Sequence, residues 1–378
     1  MLTEQTANIV LSLRAAGRLG FSGAKTLRDA AGSAVAVLEN RSDIRSVAPD
    51  ATDRLCEIMK GDIAEAMQRA EEEQQWASDN NVNIITIDDA RYPNRLRHCS
   101  DAPLTLYLRG NADMNPTCAL AIVGTRKCTA YGRDAIDYIL HDLKEQCPTL
   151  QIVSGLAYGV DICAHRASLR EGLVTIGVVA HGQDMLYPNL HRTEANQMLE
   201  NNGAVVTEYP HGIRPLAANF LQRNRIVAGM TDATLVIESA SHGGSLVTAR
   251  IAQDYGRDVF AVPGPIRSEQ SSGCNNLIRD QKAQLVTSAQ DIINITGWQC
   301  GELLSKARQQ GIERTMFANL SAEEQKIIDT LKEHGDTAVN ELTLLTSLPI
   351  SSLQQMLFTL EMQGMVKSLP GNVYHVIK

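Results

Sequence analysis

The chain has 378 residues, which is enough for two or three domains with full-sized cores. Its 44% hydrophobic and 21% charged residues are typical of an ordinary globular protein. The net charge of -8 excludes a bulk electrostatic attraction to nucleic acid, so any anion must bind at a local basic cluster. This argues against a protein that coats DNA nonspecifically, but it leaves a focused groove open.

Cysteine usage and hydropathy indicate the compartment. The 8 cysteines are scattered without a CxxC pair, which predicts reduced, mostly buried thiols in a cytosolic protein and argues against a zinc site. The chain does not open on a basic-then-apolar signal pattern, and no apolar run approaches the ~18 residues that a membrane span needs. We therefore expect a cytoplasmic protein that holds no metal.

Residues 1–78 predict a helical domain. Leu11, Leu13 and Leu19 precede a short glycine-bounded turn at 20–24, and a second apolar helix follows. Two helices joined in this way resemble a helix-hairpin-helix or SAM-like unit, whose backbone N–H groups can contact phosphate. Plain helical packing is the favoured alternative.

Residues 79–297 predict an α/β domain. Two strand-like runs, 83–87 and 104–108, precede a regular alternation of strands and helices. The apolar, β-branched runs are typical of strands that are buried on both faces of a parallel sheet. The predicted strands are 120–123, 151–154, 174–179, 204–207, 234–238, 258–262 and 284–286. The fold class is therefore α/β, an extended Rossmann-like doubly wound parallel sheet.

Residues 298–315 predict a linker, and 316–378 predict a winged helix. Ser321 and Glu324 form a capping box at the first of three helices, and a short hairpin at 370–372 closes the domain. From residue 315 to the last residue there are 4 basic and 7 acidic side chains, an excess of three acids. Such a domain is a poor phosphate binder, so we favour contact with a protein over DNA recognition.

Ligands of open α/β sheets bind beyond the carboxyl ends of the strands. The loops at 124–127, 154–159, 181–184 and 239–245 carry glycines, and several lead into helix N-termini, which suit phosphate. Neither a GxGxxG fingerprint nor a Walker P-loop occurs, so the motifs do not support NAD or ATP. We expect a phosphate-binding site of another kind.

Two arginines flank Asn224 at the predicted start of a helix whose Ile226 would face the core. Cations are unfavourable at a helix N-terminus unless an anion meets them there. Arg223 and Arg225 therefore need either a phosphate or carboxylate partners. Glu208 and Glu238, at strand ends, are the candidate partners.

Asp161 and His165 lie four residues apart and share a helix face. They can be read as an acid/base or metal pair, but no third ligand has suitable spacing. We favour structural hydrogen bonds that anchor neighbouring loops.

Taken together, these motifs resemble the DNA-processing protein A (DprA/Smf) family. The resemblance covers roughly residues 80–295 in the order of the family. The segments that carry it are 122–126, 154–161 with 164–165, 223–226, 243–249, 256–257, 259–264 and 273–278.

The resemblance implies a protein that binds single-stranded DNA and hands it to the RecA recombinase during natural transformation. It also implies a homodimer that shields incoming strands and helps RecA to displace single-strand-binding protein, without catalysis and without a cofactor. The residues that it assigns to DNA are Gly124, Thr125, Arg126, Ser154, Gly155, Arg223, Asn224, Arg225, Gly243, Gly244 and Ser245. Phe220 is the candidate for stacking on a base, with core packing as its alternative.

Two positions depart from the family. Leu221 stands where the family usually has proline, and the loop at 180–184 lacks the usual glycine-leucine-aspartate. The first departure predicts a small change in the turn before the helix, and the second leaves the role of its loop open.

A nucleotide-processing hydrolase is the alternative function, since phosphoribohydrolases on a related fold carry a Gly-Gly-x-Gly-Thr-x-x-Glu loop. Aligned on Gly243 and Gly244, this chain has Leu246, Val247 and Arg250 where that loop needs glycine, threonine and glutamate. The catalytic acid of those enzymes is missing. A transcription factor that acts through the winged helix is disfavoured by the acidic C-terminal domain.

Overall fold

The computed structural model describes residues 2–298, 320–362, 365–369 and 371–377. Apart from Trp298, the predicted linker at 298–315 lies outside these residues. None of the helices in the described ranges combines the length and the apolar character that a bilayer crossing requires.

The N-terminal region is helical, as the sequence predicts. Its helices are α1 (Glu4–Arg14), α2 (Phe21–Ala31), α3 (Ala34–Glu39), α4 (Asp53–Met59) and α5 (Ala64–Asp79). The turn between the first two lies earlier than predicted, because α2 already begins at Phe21 and Gly23 is helical. Gly17 leaves helical geometry and Gly20 takes a φ of 74°, so these two glycines make the turn. The likeness to a helix-hairpin-helix stays a prediction.

A large sheet forms the centre of the molecule. Its strands are β1 (Asn83–Thr86), β2 (Thr105–Gly110), β3 (Ala119–Val123), β4 (Gln151–Ser154), β5 (Val174–Val178), β6 (Ala204–Thr207), β7 (Ala233–Val236), β8 (Asp258–Ala261) and β9 (Gln284–Leu285). In the described part of the chain their order is β1-β2-β6-β5-β4-β3-β7-β8-β9. β2 pairs antiparallel with both β1 and β6. From β6 to β9 in this spatial order, all neighbouring strands pair parallel. The predicted doubly wound parallel sheet is confirmed, with an antiparallel edge.

Alternate residues of the central strands enter two different hydrophobic clusters. In β3, Leu120 and Ile122 join one cluster, whereas Ala121 and Val123 join the other. Burial on both faces explains why these strands read as continuous apolar runs. The helices that cover the sheet or connect its strands are α6 (Asn94–Arg97), α7 (Ala130–Gln146), α8 (Val160–Arg170), α9 (Arg192–Glu200), α10 (Ala217–Gly229), α11 (Gly244–Asp254), α12 (Glu269–Arg279) and α13 (Ala289–Thr296).

The C-terminal region is a winged helix, as predicted. It comprises α14 (Ala322–His334), β10 (Thr337–Ala338), α15 (Val339–Thr346), α16 (Ile350–Met362), β11 (Val366–Leu369) and β12 (Val373–Val376). The predicted capping box is present, since the Ser321 hydroxyl accepts from the Glu324 amide and the Glu324 carboxylate accepts from the Ser321 amide. Gly371 and Asn372 have positive φ and turn the chain between β11 and β12.

His165 on α8 is fully buried and holds α8 against the sheet. The Thr175 hydroxyl donates to Ile152 O at 3.0 Å and therefore accepts from His165 Nδ1, at 2.7 Å. Burial is the main cause that lowers the pKa of His165 to about 3. Because the folded-state pKa lies below the ordinary value, the contribution of this residue to stability is complete above pH ~6.5 and is lost progressively at lower pH.

We predict that replacing His165 with glutamine, a polar side chain that does not titrate, flattens the acid dependence of stability. In the native chain the contribution of His165 is lost as the pH falls from ~6.5 toward the folded pKa of about 3. Urea unfolding between pH 7 and pH 4 measures this slope. His141→Gln, at an exposed histidine, is the matched control and should not flatten it. Equal slopes in all three proteins would contradict the role of His165.

Candidate nucleic-acid interface

The loops after β3, β4, β5 and β7 meet at one edge of the sheet, because these strands run parallel. The loops are 124–129, 155–159, 179–188 and 237–243, and we call them together the carboxyl edge. β3 lies between β4 and β7, where the strand order reverses. The predicted convergence of the glycine-bearing loops is therefore confirmed.

Phe220 lies at the carboxyl edge among cationic and aromatic neighbours. The Cζ atom of Arg126 lies 5.4 Å from its ring centroid, and that of Arg223 lies 5.9 Å away. The Tyr187 ring meets it at 63°, with the centroids 5.9 Å apart. Phe220 is half-buried and, among the described residues, lies outside the hydrophobic clusters, so core packing does not account for it. Arg126 is exposed and Arg223 is buried.

Arg223 and Arg225 do not project from the start of a helix, and that expectation is wrong. α10 begins at Ala217, so both arginines lie in its interior and each is about 5% exposed or less. Leu221 gives the physical reason. A proline there would remove the N–H that bonds one turn back, whereas leucine allows the helix to begin upstream.

Arg223 joins one loop of the carboxyl edge to the end of β5. Its Nη1 donates to Gly155 O at 2.6 Å and also to Val178 O. Burial lowers the pKa of Arg223, and the buried carboxylate of Asp161 opposes this effect. The guanidinium therefore has acceptors and a counterion inside the protein.

Arg225 is held in a separate buried group. Its Nη2 pairs with the carboxylate of Glu208, and its Nη1 donates to Asp101 O at 2.6 Å. The ring of Phe21, on α2, lies 4.5 Å from its Cζ atom. Pairing of Glu208 with an arginine, which the sequence left open, is confirmed. The contact with Phe21 also joins the N-terminal helices to α10.

Asp161 anchors the loop after β4, as the sequence favoured. It is 8% exposed and accepts a hydrogen bond from the Gly155 amide, while the neighbouring Ser154 hydroxyl donates to Ile122 O at 2.6 Å. A Cβ atom at Gly155 would lie 2.4 Å from both Asp161 and Arg223, so only glycine fits here. Burial raises the pKa of Asp161, and Arg223 lowers it. The amide of Gly155 is thus used within the chain.

Glu238 closes the N-terminus of α7 at the strand-order reversal. Its carboxylate accepts from Thr129 N at 2.8 Å and from Thr129 Oγ1 at 2.6 Å, and its carbonyl accepts from Thr125 N at 2.7 Å. A Cβ atom at Gly124 would lie 2.8 Å from Glu238 O. Rossmann proteins that bind dinucleotides place a phosphate at this helix. Here a carboxylate occupies the position, and its partner is a threonine rather than an arginine.

The N-terminus of α11 is built differently. α11 begins at Gly244 after Gly243, which makes no side-chain cap. The first amides of an α-helix have no intrahelical acceptor, so they and the helix dipole suit an anion. Gly244 is exposed, and the buried Ser245 hydroxyl donates to Ser239 Oγ at 2.9 Å. Of the predicted glycine loops, this one retains the geometry of an anion site.

Three tyrosines of this region were given no role by sequence reasoning. Tyr131 is 43%, Tyr158 41% and Tyr187 45% exposed. For Tyr158 the neighbouring loop glycine, Gly159, was the available signal, but the sequence alone does not separate an exposed ring from a packed one. Asn224 is half-buried and Lys127 is exposed.

The loop at 180–184 positions one of these tyrosines. His181 Nδ1 donates to Gly182 O at 2.8 Å, and its Nε2 accepts from the Tyr187 amide at 3.1 Å. The side-chain amide of Gln183 donates through Nε2 to Val205 O at 2.8 Å. Burial lowers the pKa of His181, which favours the neutral ring that this arrangement needs. The loop is therefore a framework element.

The chemistry of the carboxyl edge is that of anion and ring contacts. Within the described ranges, no group of three or more His, Cys, Asp and Glu side chains is arranged to hold a metal. An exposed arginine, exposed aromatic rings and a helix N-terminus are the groups that contact phosphates and bases of single strands. The fold and this edge together define an α/β protein with an added winged helix, whose sheet edge carries a cationic and aromatic surface.

Comparison with family models gives the family. The model of DNA recombination-mediator protein A matches residues 83–297, and that of the DprA winged helix domain matches 317–372. The chain belongs to the DNA recombination-mediator protein A family, also known as DprA/Smf, whose members are DNA-processing proteins.

Individual relatives agree with this assignment. DNA processing protein DprA of Streptococcus pneumoniae is 40% identical over 209 residues, 55% of this chain and 72% of that protein. Protein Smf of Escherichia coli is 34% identical over 302 residues, 78% of each chain.

Two solved structures are also similar. The X-ray structure of the Streptococcus pneumoniae protein has a TM-score of 0.61 and 32% identity, covering 78% of this chain and 98% of that one. DNA processing protein A of Helicobacter pylori, known for its single-stranded DNA binding mode, has a TM-score of 0.50 and 28% identity, covering 57% and 94%.

We predict that Arg225→Met destabilises the fold by ~3–5 kcal/mol, because it leaves the Glu208 carboxylate buried without its partner. Adding Glu208→Gln should restore part of the loss. Urea unfolding measures both effects. Arg126→Met, at an exposed arginine of the same edge, is the control and should change stability by less than ~0.5 kcal/mol. Equal stability of the Arg225 and Arg126 variants would contradict a structural role for Arg225.

Proposed function

We propose that the carboxyl edge binds single-stranded DNA, with backbone phosphates at Arg126 and at the N-terminus of α11, and a base stacked at Phe220. The observation that carries this proposal is the half-buried Phe220 ring with the exposed Arg126 guanidinium 5.4 Å from its centroid. A cation and a ring side by side suit the alternation of phosphate and base along a single strand. Tyr187, at 63° to Phe220, widens the aromatic surface.

The remaining predicted DNA residues divide into two roles within this proposal. Gly243, Gly244 and Ser245 present the amides that meet a phosphate. Gly124, Thr125, Ser154 and Gly155 shape the edge, because their described hydrogen bonds and close contacts are made within the chain. Arg223 and Arg225 set the position of Phe220 on α10, and Arg223 adds positive potential beneath the bound strand. Half-buried Asn224 stays a proposed phosphate contact.

The cellular role that we propose is that of a recombination mediator in natural transformation. The protein protects incoming single strands, helps to displace single-strand-binding protein and loads RecA, acting as a homodimer and without catalysis. Its support is membership of the DNA recombination-mediator protein A family and the similarity to the Helicobacter pylori protein. Because the net charge of the protein is -8, its other surfaces repel DNA, so DNA would bind only at the carboxyl edge and the other surfaces stay open to proteins.

For the winged helix we propose contact with a protein. α16, at the position of the usual recognition helix, contains no lysine or arginine. It exposes Phe358 and Met362, at 64% and 75%. DNA readers contact phosphates and base edges through cationic and polar side chains, whereas exposed apolar side chains are typical of protein interfaces.

We predict that Arg126→Ala and Phe220→Leu both weaken single-strand binding, the first by removing a charge and the second by removing a stacking ring. Loss of the Arg126 charge should cost ~1.5–3 kcal/mol and lower the log-log salt slope by ~0.7, for one phosphate contact. Loss of the Phe220 ring should cost ~1–3 kcal/mol per stacked base and leave the salt slope unchanged. Fluorescence anisotropy of labelled single strands and matched duplexes across a salt series measures both quantities.

The matched control for this experiment is Arg170→Ala. Arg170 is an exposed arginine at the far end of α8, paired with Asp137, away from the carboxyl edge. Its removal should leave affinity and slope unchanged. Equal losses in Arg126→Ala and Arg170→Ala would show a bulk charge effect and overturn the proposed groove. Release of free base from nucleoside monophosphates by the purified protein would favour the hydrolase alternative.

We predict that removing residues 316–378 leaves single-strand affinity within roughly twofold, because the winged helix is acidic and α16 has no cation. Lys367 Nζ does donate to Gly297 O at 3.4 Å, a contact that truncation removes. Fluorescence anisotropy compares the single-strand affinity of the truncated chain with that of the full chain. The Lys367→Ala variant of the full chain shows how much of any change comes from the loss of the contact with Gly297. A tenfold loss on truncation, absent in Lys367→Ala, would place DNA on the winged helix.

A further inference from the structure

Tyr158 lies in the loop after β4 and takes no part in the contacts proposed for Arg126 and Phe220. Its side chain is 41% exposed, and its ring meets the buried ring of His191 at 73°, with the centroids 5.1 Å apart. His191 Nδ1 donates to Leu156 O at 2.9 Å, which ties His191 to the same loop. Tyr158 is therefore an exposed ring that packs against a fixed, buried neighbour.

Arg126 provides a first connection between Tyr158 and Phe220. The residue after Tyr158, Gly159, packs against the Arg126 backbone, since a Cβ atom there would lie 2.6 Å from Arg126 Cα. The Cζ atom of the same arginine lies 5.4 Å from the Phe220 centroid. Arg126 thus touches the loop of Tyr158 with its backbone and approaches the ring of Phe220 with its side chain.

The segment 187–191, which leads into α9, provides a second connection. Its first residue, Tyr187, meets the Phe220 ring with the centroids 5.9 Å apart. Its last residue, His191, meets the Tyr158 ring. Four residues of chain span at most ~14 Å, and this segment is shorter still because its last three residues form a 3₁₀ turn. Phe220 and Tyr158 are therefore linked on two sides and belong to one region of the carboxyl edge.

We propose that Tyr158 is a second base-stacking subsite, which takes another base of the single strand that stacks at Phe220. This inference rests on the proposed binding of single-stranded DNA at the carboxyl edge. Bases of single strands stack on exposed aromatic rings whatever their sequence, since every base has a π-face. Leu190, 78% exposed beside His191, extends the apolar surface. Arg126, which touches both parts of the site, would meet the phosphates that join the two stacked bases.

The alternative is an ordinary surface tyrosine, and Tyr138 is an example in this chain. Tyr138 is 56% exposed in the middle of α7, and among the described residues no aromatic ring packs against it. The loop of Tyr158 is built differently. Leu156 has a φ of 54°, which is costly for leucine, and His191 holds its carbonyl. A loop fixed in this way presents the Tyr158 ring in advance, which favours binding.

Photocrosslinking of the full chain tests the second subsite directly. An oligothymidylate that carries 5-iodouracil at each position in turn is bound and irradiated, and mass spectrometry of a tryptic digest locates the adducts. Tyr158, Tyr187 and Phe220 lie in separate peptides, 145–166, 171–192 and 193–223. We expect adducts at Tyr158 as well as at Phe220. Adducts at Phe220 without any at Tyr158 would overturn the second subsite and leave the proposed function intact.

Substitutions at Tyr158 test whether its ring is what binds. Tyr158→Leu should weaken single-strand binding by roughly fivefold or more and leave the salt slope unchanged, because a stacking ring but no charge is lost. Tyr158→Phe, which keeps the ring, should bind as the native chain does. Tyr138→Leu is the matched control and should leave the affinity unchanged. Native affinity of Tyr158→Leu, or an equal loss in Tyr158→Phe, would overturn the proposal. Urea unfolding checks that each variant is folded.

The double variant with Phe220→Leu shows whether the two subsites are separate. Two independent stacks contribute additively to the free energy of binding, so the fold losses of the single variants should multiply. A double variant that binds no more weakly than Phe220→Leu would contradict a second stacked base. Loss of binding in Phe220→Leu with none in Tyr158→Leu would refute the second subsite alone. Native affinity of both single variants would contradict the proposed stacking at Phe220 as well, so the two proposals are distinguished.

Discussion

The buried guanidinium of Arg223 is the interaction on which the carboxyl edge depends. It contacts the carbonyls of Gly155 and Val178, so helix α10, the loop after β4 and the end of β5 are joined by one side chain. A guanidinium at 4% exposure is costly unless its charge is balanced; here Nη1 has two carbonyl acceptors, whereas Nε is buried without a partner among the described residues. Asp161 supplies the counterion, and Gly155 leaves the space for both groups to pass.

This constraint also determines what the surface presents. Because Arg223 fixes α10 to the sheet, Phe220 is held at the edge. Its ring has the buried guanidinium of Arg223 on the interior side and the exposed guanidinium of Arg126 on the solvent side. Tyr187 reaches the same ring from a loop that His181 orders through a hydrogen bond to its amide. A ring held in this way loses little rotamer freedom on binding a base, which favours stacking.

Strands, caps and the winged helix were predictable from sequence because their signals are local. Apolar β-branched runs identify strands buried on both faces, and the capping box at Ser321 marks a helix start. The start of α10 was not predictable, because Leu216 provides no side-chain cap and the apolar pattern continues upstream of the arginines. Whether Arg223 and Arg225 meet phosphate or carboxylate depends on Asp161 and Glu208, which lie far away in sequence. No local pattern carries that information.

Glu238 also determines which helix N-terminus of the carboxyl edge is open to an anion. In a dinucleotide-binding sheet the first helix N-terminus must remain open to a phosphate. Here Glu238 accepts both donors of Thr129, so a phosphate would have to displace a hydrogen-bonded carboxylate and overcome its charge. The anion-binding character moves one strand along, to α11, whose first amides follow the uncapped Gly243. The two phosphate contacts that we propose, at this end and at Arg126, do not need the helix end that Glu238 has closed.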